Sequence, residues 1–432
     1  MGDEINVGRP RRFCGEVTVP GDKSISHRSV LIGSLAKGKT EVTNFLRGED
    51  CISTINCMRS LGVEIEDSGT VVSIEGKGLY LKEPSETLDA GNSGTTARLI
   101  LGALAAQPFS TTLTGDDSLR NRPMLRVVDP LRHMGAEIEG KDGDDRLPLH
   151  IKGRELTSLE YELPVPSAQV KSAILLAGLY ARGKTVVKES RPSRDHTERM
   201  LELCGAELEW NTRIKALNGP AQLSGFRIRV PGDISSAAYM MVAAAVLPGA
   251  DVTLRDVGLN PTRVGILNVL EEMGANLEVL NRRKFGNEPV GDIRVMGKES
   301  LKAVTLEEDI MPRLIDEIPV IAVAALMAEG TTEIKGAGEL RTKESDRIQL
   351  LTRELSRLGA YIEEMEDGLK IEGNKPLKGS ECFSHGDHRL AMALTVAGLV
   401  AAGKTKVKGT SCAGISYPAF EQDLRRLTGY SD

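Results

Sequence analysis

Basic side chains recur in this sequence beside Ser, Asn, Gln and Gly, at turns that precede apolar segments. Such combinations suit anion binding, because Arg offers a planar fork to carboxylate or phosphate and Lys offers a mobile point charge. An isolated Lys or Arg most often belongs to a solvated surface, but several clusters in a chain of net charge −6 predict a small polyanionic ligand. The clusters are Lys23 with Arg28, Arg120 with Arg122, Lys171, Arg191 with Arg194, Arg341 with Lys343 and Arg347, and Arg389.

Two carboxylates lie close in sequence to these cations, Asp316 and Glu344. A carboxylate inside a basic site is a candidate for proton transfer, because its environment can adjust its pKa to that task. The alternative is a purely structural role as the ion-pair partner of an Arg or Lys. The residues alone leave both roles open.

The elements that must position these groups form a repeat. The phrase LGVEIE at residues 61–66 returns as MGAEIE, CGAELE, MGANLE and LGAYIE, each after an amphipathic segment and before an alternating one. Glycine at that place predicts a left-handed residue that ends a helix before a strand. The glycines concerned are Gly62, Gly135, Gly205, Gly274 and Gly359.

A second landmark follows the same period. Apolar, Ala-rich helices are predicted to begin near Lys23, Ser93, Ser167, Asp233, Asp316 and Asp387, and most run into a strand rich in Thr and Val. Each unit therefore contains a strand, a buried helix, a strand, an amphipathic helix and two further strands. The last copy has its helix at residues 418–427, and residues 5–19 could supply its missing strands.

This arrangement predicts an α/β protein of two domains, each built from three βαβαββ units. At 432 residues the chain is long enough for two cores. The matching segments at residues 19–22 and 230–233, both VPGD, are the expected crossover points. One domain is predicted to contain residues 1–20 plus 233–432, and the other residues 21–232, with the ligand in the cleft between them. The alternative is one continuous solenoid with degenerate terminal units.

Composition narrows the function further. The net charge of −6 and the aromatic content of 3% disfavour a nucleic-acid binder. The six cysteines form no CxxC pair and indicate reduced thiols, and no apolar stretch is long enough for a membrane span. We therefore expect a cytoplasmic protein without nucleic-acid or membrane partners. Its substrates are expected to be small molecules, and the protein is expected to be a monomer.

Three segments match the P-loop pattern GxxxxGK[ST], at residues 33–40, 178–185 and 398–405. A P-loop follows a strand and opens a helix, whose N-terminal amides hold phosphate. Here each match follows an apolar helix and leads into a strand, so nucleotide binding is not predicted. His385 and His388 have HxxH spacing, but no third ligand motif accompanies them, and no metal is expected.

At these residues the sequence resembles the 5-enolpyruvylshikimate-3-phosphate synthase family over nearly its whole length. The ordered motifs are GDKSISHR, GNSGTTAR, NRPM, PSAQVKSA, SRDHTERM, LIDEIP, RTKESDRI and DHRLAM, and SAQVK and RDHTE are similar to the class II branch. The resemblance implies the two-domain enolpyruvyl transferase fold, with units arranged about a pseudo-threefold axis. It also implies transfer of the enolpyruvyl group of phosphoenolpyruvate to shikimate 3-phosphate, without cofactor or metal.

The same resemblance implies a set of ligand contacts. Shikimate 3-phosphate is expected to contact Lys23, Ser24, Arg28, Ser167, Gln169, Arg194, Asp316 and Lys343. Phosphoenolpyruvate is expected to contact Lys23, Gly94, Arg122, Gln169, Arg347 and Arg389. Asp316, Glu344 and Lys23 are the expected catalytic residues.

Two departures from the family pattern affect these expectations. Some relatives carry a Lys near the C-terminus that touches phosphoenolpyruvate, and this chain has Ile415 there. That contact must be absent or come from another residue. Glyphosate-insensitive class II relatives often carry Ala at the position of Gly94, so Gly94 is expected to leave room for that inhibitor.

Two other functions share part of this pattern. UDP-N-acetylglucosamine enolpyruvyl transferase shares the fold and reaction type, and its members commonly carry a reactive Cys where residues 115–123 contain none and Asp117 stands near that place. The SAQVK, KESDR and DHR motifs favour the shikimate enzyme. A non-catalytic repeat protein that binds acidic partners would tolerate loss of Asp316 and Glu344.

Overall fold

The computed structural model describes residues 2–69 and 71–429. Its contacts divide the chain into two compact units. The first unit contains Met1–Pro20, Pro231–Lys284 and Pro289–Asp432, and the second contains Gly21–Val230 and Phe285–Glu288. The chain therefore leaves the first unit after Pro20 and returns at Pro231, within the two VPGD segments.

Strands and helices alternate along the whole chain. The first unit opens with β1 (Glu4–Gly8) and β2 (Cys14–Thr18). The helices of the second unit are α1 (Lys23–Leu35), α2 (Glu49–Ser60), α3 (Gly94–Leu104), α4 (Asp117–Arg120), α5 (Leu125–His133), α6 (Ala168–Gly178) and α7 (His196–Leu203). Its strands are β3 (Lys37–Thr43), β4 (Glu64–Asp67), β5 (Val71–Lys77), β6 (Leu88–Asp89), β7 (Ser110–Thr114), β8 (Glu137–Lys141), β9 (Arg146–Lys152), β10 (Glu160–Glu162), β11 (Gly183–Lys188), β12 (Leu208–Trp210), β13 (Ile214–Gly219) and β14 (Arg227–Arg229).

The remainder of the chain continues the same alternation. Its helices are α8 (Ile234–Val246), α9 (Gly265–Glu272), α10 (Ile318–Leu326), α11 (Arg347–Arg357), α12 (His388–Val400) and α13 (Phe420–Thr428). Its strands are β15 (Asp251–Gly258), β16 (Asn276–Phe285), β17 (Glu288–Met296), β18 (Leu301–Lys302), β19 (Thr305–Leu306), β20 (Ala328–Glu329), β21 (Thr331–Ile334), β22 (Tyr361–Met365), β23 (Gly368–Glu372), β24 (Glu381–Phe383) and β25 (Lys404–Lys408). Short 3₁₀ helices span Glu308–Arg313, Ile315–Glu317, Gly338–Thr342 and Thr410–Ile415.

The sheets repeat one strand order. In the second unit the orders are β14-β3-β5-β4, β6-β7-β9-β8 and β10-β11-β13-β12, so each sheet joins one parallel pair to two antiparallel pairs. The first unit repeats this with β2-β15-β17-β16 and β19-β21-β23-β22, while β24-β25-β1 ends on the N-terminal strand. Glu4 faces Lys408 in the antiparallel β1–β25 pair, and Cys14 faces Asp251 in the parallel β2–β15 pair.

Apolar helices fill the interior of both units. The side chains of α8 and α10 are buried on every face. Small residues let such helices approach closely: a Cβ on Gly102 of α3 would lie 2.2 Å from the carbonyl oxygen of Ala173 on α6. Hydroxyl and carboxyl caps satisfy the first amides, since Asp22, Ser93, Ser167, Asp233 and Asp387 each accept a backbone N–H at a helix start.

The predicted turn glycines have the expected conformation. The glycines of the five repeated phrases, Gly62, Gly135, Gly205, Gly274 and Gly359, have φ between +78° and +107°, as the helix-ending prediction requires. The three P-loop matches also lie between a buried helix and a strand, and Gly38, Gly183 and Gly403 take positive φ there. The rejection of a P-loop geometry is confirmed. The helix expected near Asp316 begins at Ile318, because residues 315–317 form a 3₁₀ turn instead.

Within residues 2–69 and 71–429, no helix is long and apolar enough to cross a membrane. The same residues contain no group of three His, Cys, Asp or Glu side chains arranged to hold a metal ion.

Candidate functional site

Arg347 is the centre of the charged cluster in the first unit. It is the first residue of α11, and its side chain is 1% exposed. Its Nε donates to Asp387 Oδ2 at 2.8 Å, its Nη2 contacts Glu344 Oε2 at 2.5 Å, and its Nη1 lies 3.7 Å from Asp316 Oδ1. Burial alone would lower the pKa of Arg347, but the charges of Glu344, Asp387 and Asp316 outweigh it and raise the pKa above its ordinary value.

Arg389 holds Asp316 from a second direction. It lies in the first turn of α12, where its Nη1 donates to the backbone oxygen of Asp316 at 3.0 Å and its Nη2 lies 3.5 Å from Asp316 Oδ2. Burial acts to lower the pKa of Arg389, and the nearby carboxylates, Asp316 foremost, raise it above its usual range. Asp316 is therefore fixed through both its main chain and its carboxylate.

The three carboxylates around Arg347 differ in exposure. Asp387 is fully buried, whereas the side chain of Asp316 is 15% exposed and that of Glu344 is 30% exposed. Asp387 also caps α12, accepting from the backbone N–H of Arg389 at 2.8 Å, and Ser345 Oγ donates to it at 2.9 Å. Burial opposes its ionisation, but the charge of Arg347 keeps the pKa of Asp387 below its ordinary value. Two of the three carboxylates can therefore reach a ligand while the third remains structural.

Lys343 lies outside this cluster. It follows the 3₁₀ turn Gly338–Thr342, and its Nζ contacts Glu339 Oε1 at 2.5 Å. Lys343 is therefore next to Glu344 in sequence, but its side chain is paired with Glu339.

In the second unit, α1 presents its cations at its first turns. Asp22 caps the helix, and Lys23 forms an ion pair with Asp50. Arg28 is buried one turn later, where its Nη1 donates to the backbone oxygen of Ser24 at 3.0 Å and its Nε to Thr197 Oγ1 at 2.7 Å. Burial lowers the pKa of Arg28 to about 10, so the guanidinium remains charged at neutral pH.

The first turns of α3 are hydrogen-bonded to α6 through Arg98 and Thr95. Arg98 Nη1 donates to Gln169 Oε1 at 2.9 Å, and Gln169 Nε2 donates to Thr95 Oγ1 at 3.1 Å. A Cβ on Gly94 would lie 2.9 Å from Arg98 Nη1 and 3.6 Å from Arg122 Nη1. Gly94 thus permits two guanidinium groups to approach the helix N-terminus.

Arg122 is fixed by the same turn. Its Nη2 donates to Asn92 Oδ1 at 2.7 Å and to Ser118 Oγ at 3.1 Å. Asn92 in turn donates from its Nδ2 to Asp116 Oδ2 at 2.6 Å. The side chain of Arg122 is therefore preorganised next to Gly94.

Ser167 and Arg194 approach this group from α6 and from the loop before α7. Ser167 caps α6, accepting from the N–H of Val170 at 3.4 Å. Arg194 lies near enough to Arg28 for its charge to lower the pKa of Arg28. In the second unit the predicted shikimate 3-phosphate residues thus lie on α1, at the start of α6 and in the loop before α7.

Lys171 does not belong to that basic surface. The sequence grouped it with the ligand-binding cations, but its side chain is wholly buried and paired with Glu189 and Glu198. The interpretation of Lys171 as a turn cation is wrong, because it lies one turn inside a helix that is buried on all sides.

Sequence reasoning missed two residues that hold the predicted ones. Arg98 supports Gln169, and Asp50 pairs with Lys23. Arg98 does carry a signal, since it falls one turn after Gly94 on a buried helix and therefore needs a polar partner. Asp50 carries none, because it reaches Lys23 from the start of another helix.

Each unit thus presents cations at helix N-termini, where the backbone dipoles add positive potential. Such a surface suits carboxylate and phosphate groups. The first unit adds two partly exposed carboxylates that could accept or deliver protons next to bound anions.

Comparisons with known proteins agree with this chemistry. A family model described as EPSP synthase (3-phosphoshikimate 1-carboxyvinyltransferase) matches residues 7–424. The chain is 52% identical over 426 residues to 3-phosphoshikimate 1-carboxyvinyltransferase of Desulforamulus reducens, covering 98% of this chain and 99% of the relative. It is 54% identical over 425 residues to the protein of that name from a Thermoanaerobacter species, covering 98% and 100%. A solved structure of EPSP synthase from Acinetobacter baumannii matches with a TM-score of 0.89 and 46% identity, covering 98% of this chain and 97% of the other.

The Arg347–Asp387 pair predicts a specific dependence of stability on pH. Asp387→Asn keeps the shape of the side chain but leaves a buried guanidinium with less compensation, so the free energy of unfolding at about pH 7 should fall by about 3–5 kcal/mol. Because the folded-state pKa of Asp387 lies below 3.8, its contribution is complete above that value and is lost as the pH falls through the lower folded value.

Urea unfolding at neutral and acidic pH measures this difference. The wild type should lose more stability than Asp387→Asn as the pH falls below about 4. Asp251→Asn is the control, since Asp251 forms a half-exposed pair with Arg294 and its loss should change stability by less than about 1 kcal/mol. Equal effects of the two substitutions at neutral pH would contradict the role given to Asp387.

Proposed function

The chain belongs to the EPSP synthase family, and from that premise we propose that it transfers the enolpyruvyl group of phosphoenolpyruvate to the 5-hydroxyl of shikimate 3-phosphate, releasing inorganic phosphate. The family match over residues 7–424 supports the reaction, and it confirms the predicted fold class together with the likeness to solved EPSP synthases. The observation that carries the chemistry is the pair of partly exposed carboxylates, Asp316 and Glu344, held around buried Arg347.

A first set of residues is assigned to the phosphorylated acceptor. Arg28 and Arg194 carry the charges suited to its phosphate, while hydroxyl and amide side chains suit its ring hydroxyls. Asp316 is assigned to the reacting 5-hydroxyl. The proposed contacts are Lys23, Ser24, Arg28, Ser167, Gln169, Arg194, Asp316 and Lys343.

A second set is assigned to phosphoenolpyruvate. Its phosphate and carboxylate carry several negative charges, which match guanidinium forks and the N-terminal amides of α3. Ile415 is half-buried at the end of a 3₁₀ helix and contributes no charge. The binding of phosphoenolpyruvate therefore depends on Lys and Arg residues elsewhere in the chain. The proposed contacts are Lys23, Gly94, Arg122, Gln169, Arg347 and Arg389.

The reaction proceeds by addition and then elimination. The 5-hydroxyl oxygen attacks C2 of phosphoenolpyruvate while C3 receives a proton, which gives a tetrahedral ketal phosphate. That intermediate loses a proton from C3 and expels phosphate, which restores the C2–C3 double bond as an enol ether. One proton leaves the hydroxyl, and the proton gained at C3 is balanced by one lost there.

The carboxylates divide these proton transfers. Asp316 accepts the hydroxyl proton, because Arg389 fixes both its main chain and its carboxylate. Glu344, the more exposed of the two, delivers the proton to C3 and removes one in the second step. Lys23 stabilises the departing phosphate and can take part with Glu344 in the proton transfers at C3.

The related transfer to UDP-N-acetylglucosamine is not favoured. The relatives and the solved structure described above carry the name of the shikimate enzyme. Asp117, in the loop where that other enzyme commonly has a Cys, is exposed and paired with Arg120. Following phosphate release with each acceptor tests the choice: release with shikimate 3-phosphate alone supports the proposal, and release with the UDP sugar alone overturns it.

A cytoplasmic compartment, a monomeric state and the lack of nucleic-acid partners stay predictions from the sequence.

Asp316→Asn and Glu344→Gln should each lower kcat by about 10²–10⁴-fold, because each removes a proton acceptor at the reacting atoms. Binding of shikimate 3-phosphate, measured by calorimetry, should persist, since neither carboxylate attracts an anion. Glu307→Gln is the matched control, because Glu307 forms an exposed ion pair with Lys335, and neither residue is assigned to a substrate. Turnover retained in both variants would instead indicate a protein that binds anions without catalysis.

Gly94→Ala should weaken inhibition by glyphosate. The added Cβ would lie 2.9 Å from Arg98 Nη1 and would narrow the space beside Arg122. Glyphosate is longer than phosphoenolpyruvate, so the lost space should weaken the binding of glyphosate more. The inhibition constant should rise by more than about tenfold, while KM for phosphoenolpyruvate rises by less. Gly258→Ala in β15, where the nearest atom would lie 3.4 Å away, is the control. A wild-type inhibition constant far above that KM would contradict the role of Gly94.

A further inference from the structure

Four charged side chains form a closed group inside the second unit. Lys171, Glu189 and Glu198 have no exposed side-chain surface, and Lys215 is 2% exposed. Lys171 Nζ lies 3.0 Å from Glu189 Oε2 and 2.7 Å from Glu198 Oε1, while Lys215 Nζ contacts Glu189 Oε2. We call these four residues the buried quartet. Its two positive and two negative charges balance.

The quartet is joined to the loop that carries Arg194. Glu189 begins that loop directly after β11, and Ser193 Oγ donates a hydrogen bond back to Glu189. Lys171 Nζ also donates to the backbone oxygen of Ser193 at 3.4 Å. On the other side of Arg194, Asp195 is fixed by Arg199 Nε at 2.8 Å. Arg194 therefore stands between two anchored residues.

The quartet also faces the second cation of the acceptor site. The charge of Glu198 opposes the effect of burial on the pKa of Arg28. Thr197, next to Glu198, accepts from Arg28 Nε at 2.7 Å, and Ser172, next to Lys171, accepts from Arg28 Nη2 at 3.0 Å. Arg28 and the Arg194 loop thus share one supporting framework.

Stability alone is a poor reason for such a group. Desolvating four charges offsets most of their mutual attraction, and apolar residues of similar volume often stabilise a protein as well or better. A buried ion pair does impose geometry, because each partner must meet the other at hydrogen-bond distance and angle. The quartet joins α6, the loop, α7 and β13, and that loop would otherwise be held by few apolar contacts.

We infer that the buried quartet positions Arg194 and Arg28 for the phosphate of shikimate 3-phosphate, and so sets the affinity for the phosphorylated acceptor without touching it. This inference rests on the proposed function, which assigns both arginines to that substrate. Lys171, Glu189, Glu198 and Lys215 are positioning residues in this account.

The test removes one charge of each sign, which leaves the Lys215–Glu189 pair in place. Lys171→Met with Glu198→Gln should raise the dissociation constant for shikimate 3-phosphate by about 10–100-fold, since small displacements of binding groups have effects of that size. Affinity for shikimate, which lacks the phosphate, and KM for phosphoenolpyruvate should change by less than about threefold. The matched control is Arg255→Met with Asp292→Asn, which removes a charge pair in the first unit.

Arg194→Ala provides the reference that separates the inference from the proposed function. If Arg194→Ala leaves shikimate 3-phosphate affinity unchanged, the assignment of Arg194 itself is wrong. If Arg194→Ala weakens binding but the quartet variant binds like wild type, the inference alone is overturned.

A double-mutant cycle distinguishes a quartet that positions Arg194 from one that only stabilises the fold. With Arg194 already replaced by Ala, the quartet substitutions should cause much less further loss of shikimate 3-phosphate affinity than they cause in the wild type. Equal losses for shikimate, shikimate 3-phosphate and phosphoenolpyruvate, together with a lower Tm, would mean that the quartet only stabilises the fold and would overturn the inference.

Discussion

A buried guanidinium needs negative charge beside it, and this requirement organises the charged cluster of the first unit. An uncompensated ion in a protein interior costs several kcal/mol. Arg347 is 1% exposed and meets Asp387, Glu344 and Asp316. Asp387 is buried and structural, whereas the other two reach the surface. The carboxylates proposed to move protons are thus placed by the same contacts that neutralise the arginine.

The repeated fold supplies the positions for this chemistry. Each buried helix begins at a polar turn, and the first turn of α12 carries Arg389, while Arg347 opens the amphipathic helix α11. In the second unit the corresponding starts of α1 and α3 carry Lys23 and Gly94. A helix start attracts anions through its amides, so a cation there increases the potential and a capping carboxylate moderates it. The same architectural position has become a structural cap in some units and a candidate ligand contact in others.

Much of this arrangement follows from the sequence, for physical reasons. The period of the five glycine-containing phrases specified the helix ends, since a left-handed residue joins helix to strand there. The context of the GxxxxGK[ST] matches excluded a P-loop. The orientation of Lys171 was not predicted, although α6 is apolar on every face and leaves a lysine no route to solvent. Its partners Glu189 and Lys215 lie on other elements, so no local spacing identifies them. Arg98 carried a local signal, as a charged residue on a buried helix, but its partner Gln169 lies on another element.

The central claim is that cations and carboxylates from turns far apart in sequence act on the same two acidic substrates. A crystal structure of the Asp316→Asn variant with shikimate 3-phosphate and phosphoenolpyruvate bound tests it most directly. The account predicts that Lys23, Arg122 and Arg389 lie within hydrogen-bond distance of bound ligand oxygens, with Glu344 beside C3 of phosphoenolpyruvate. Ligands bound elsewhere, with these side chains out of contact, would contradict it.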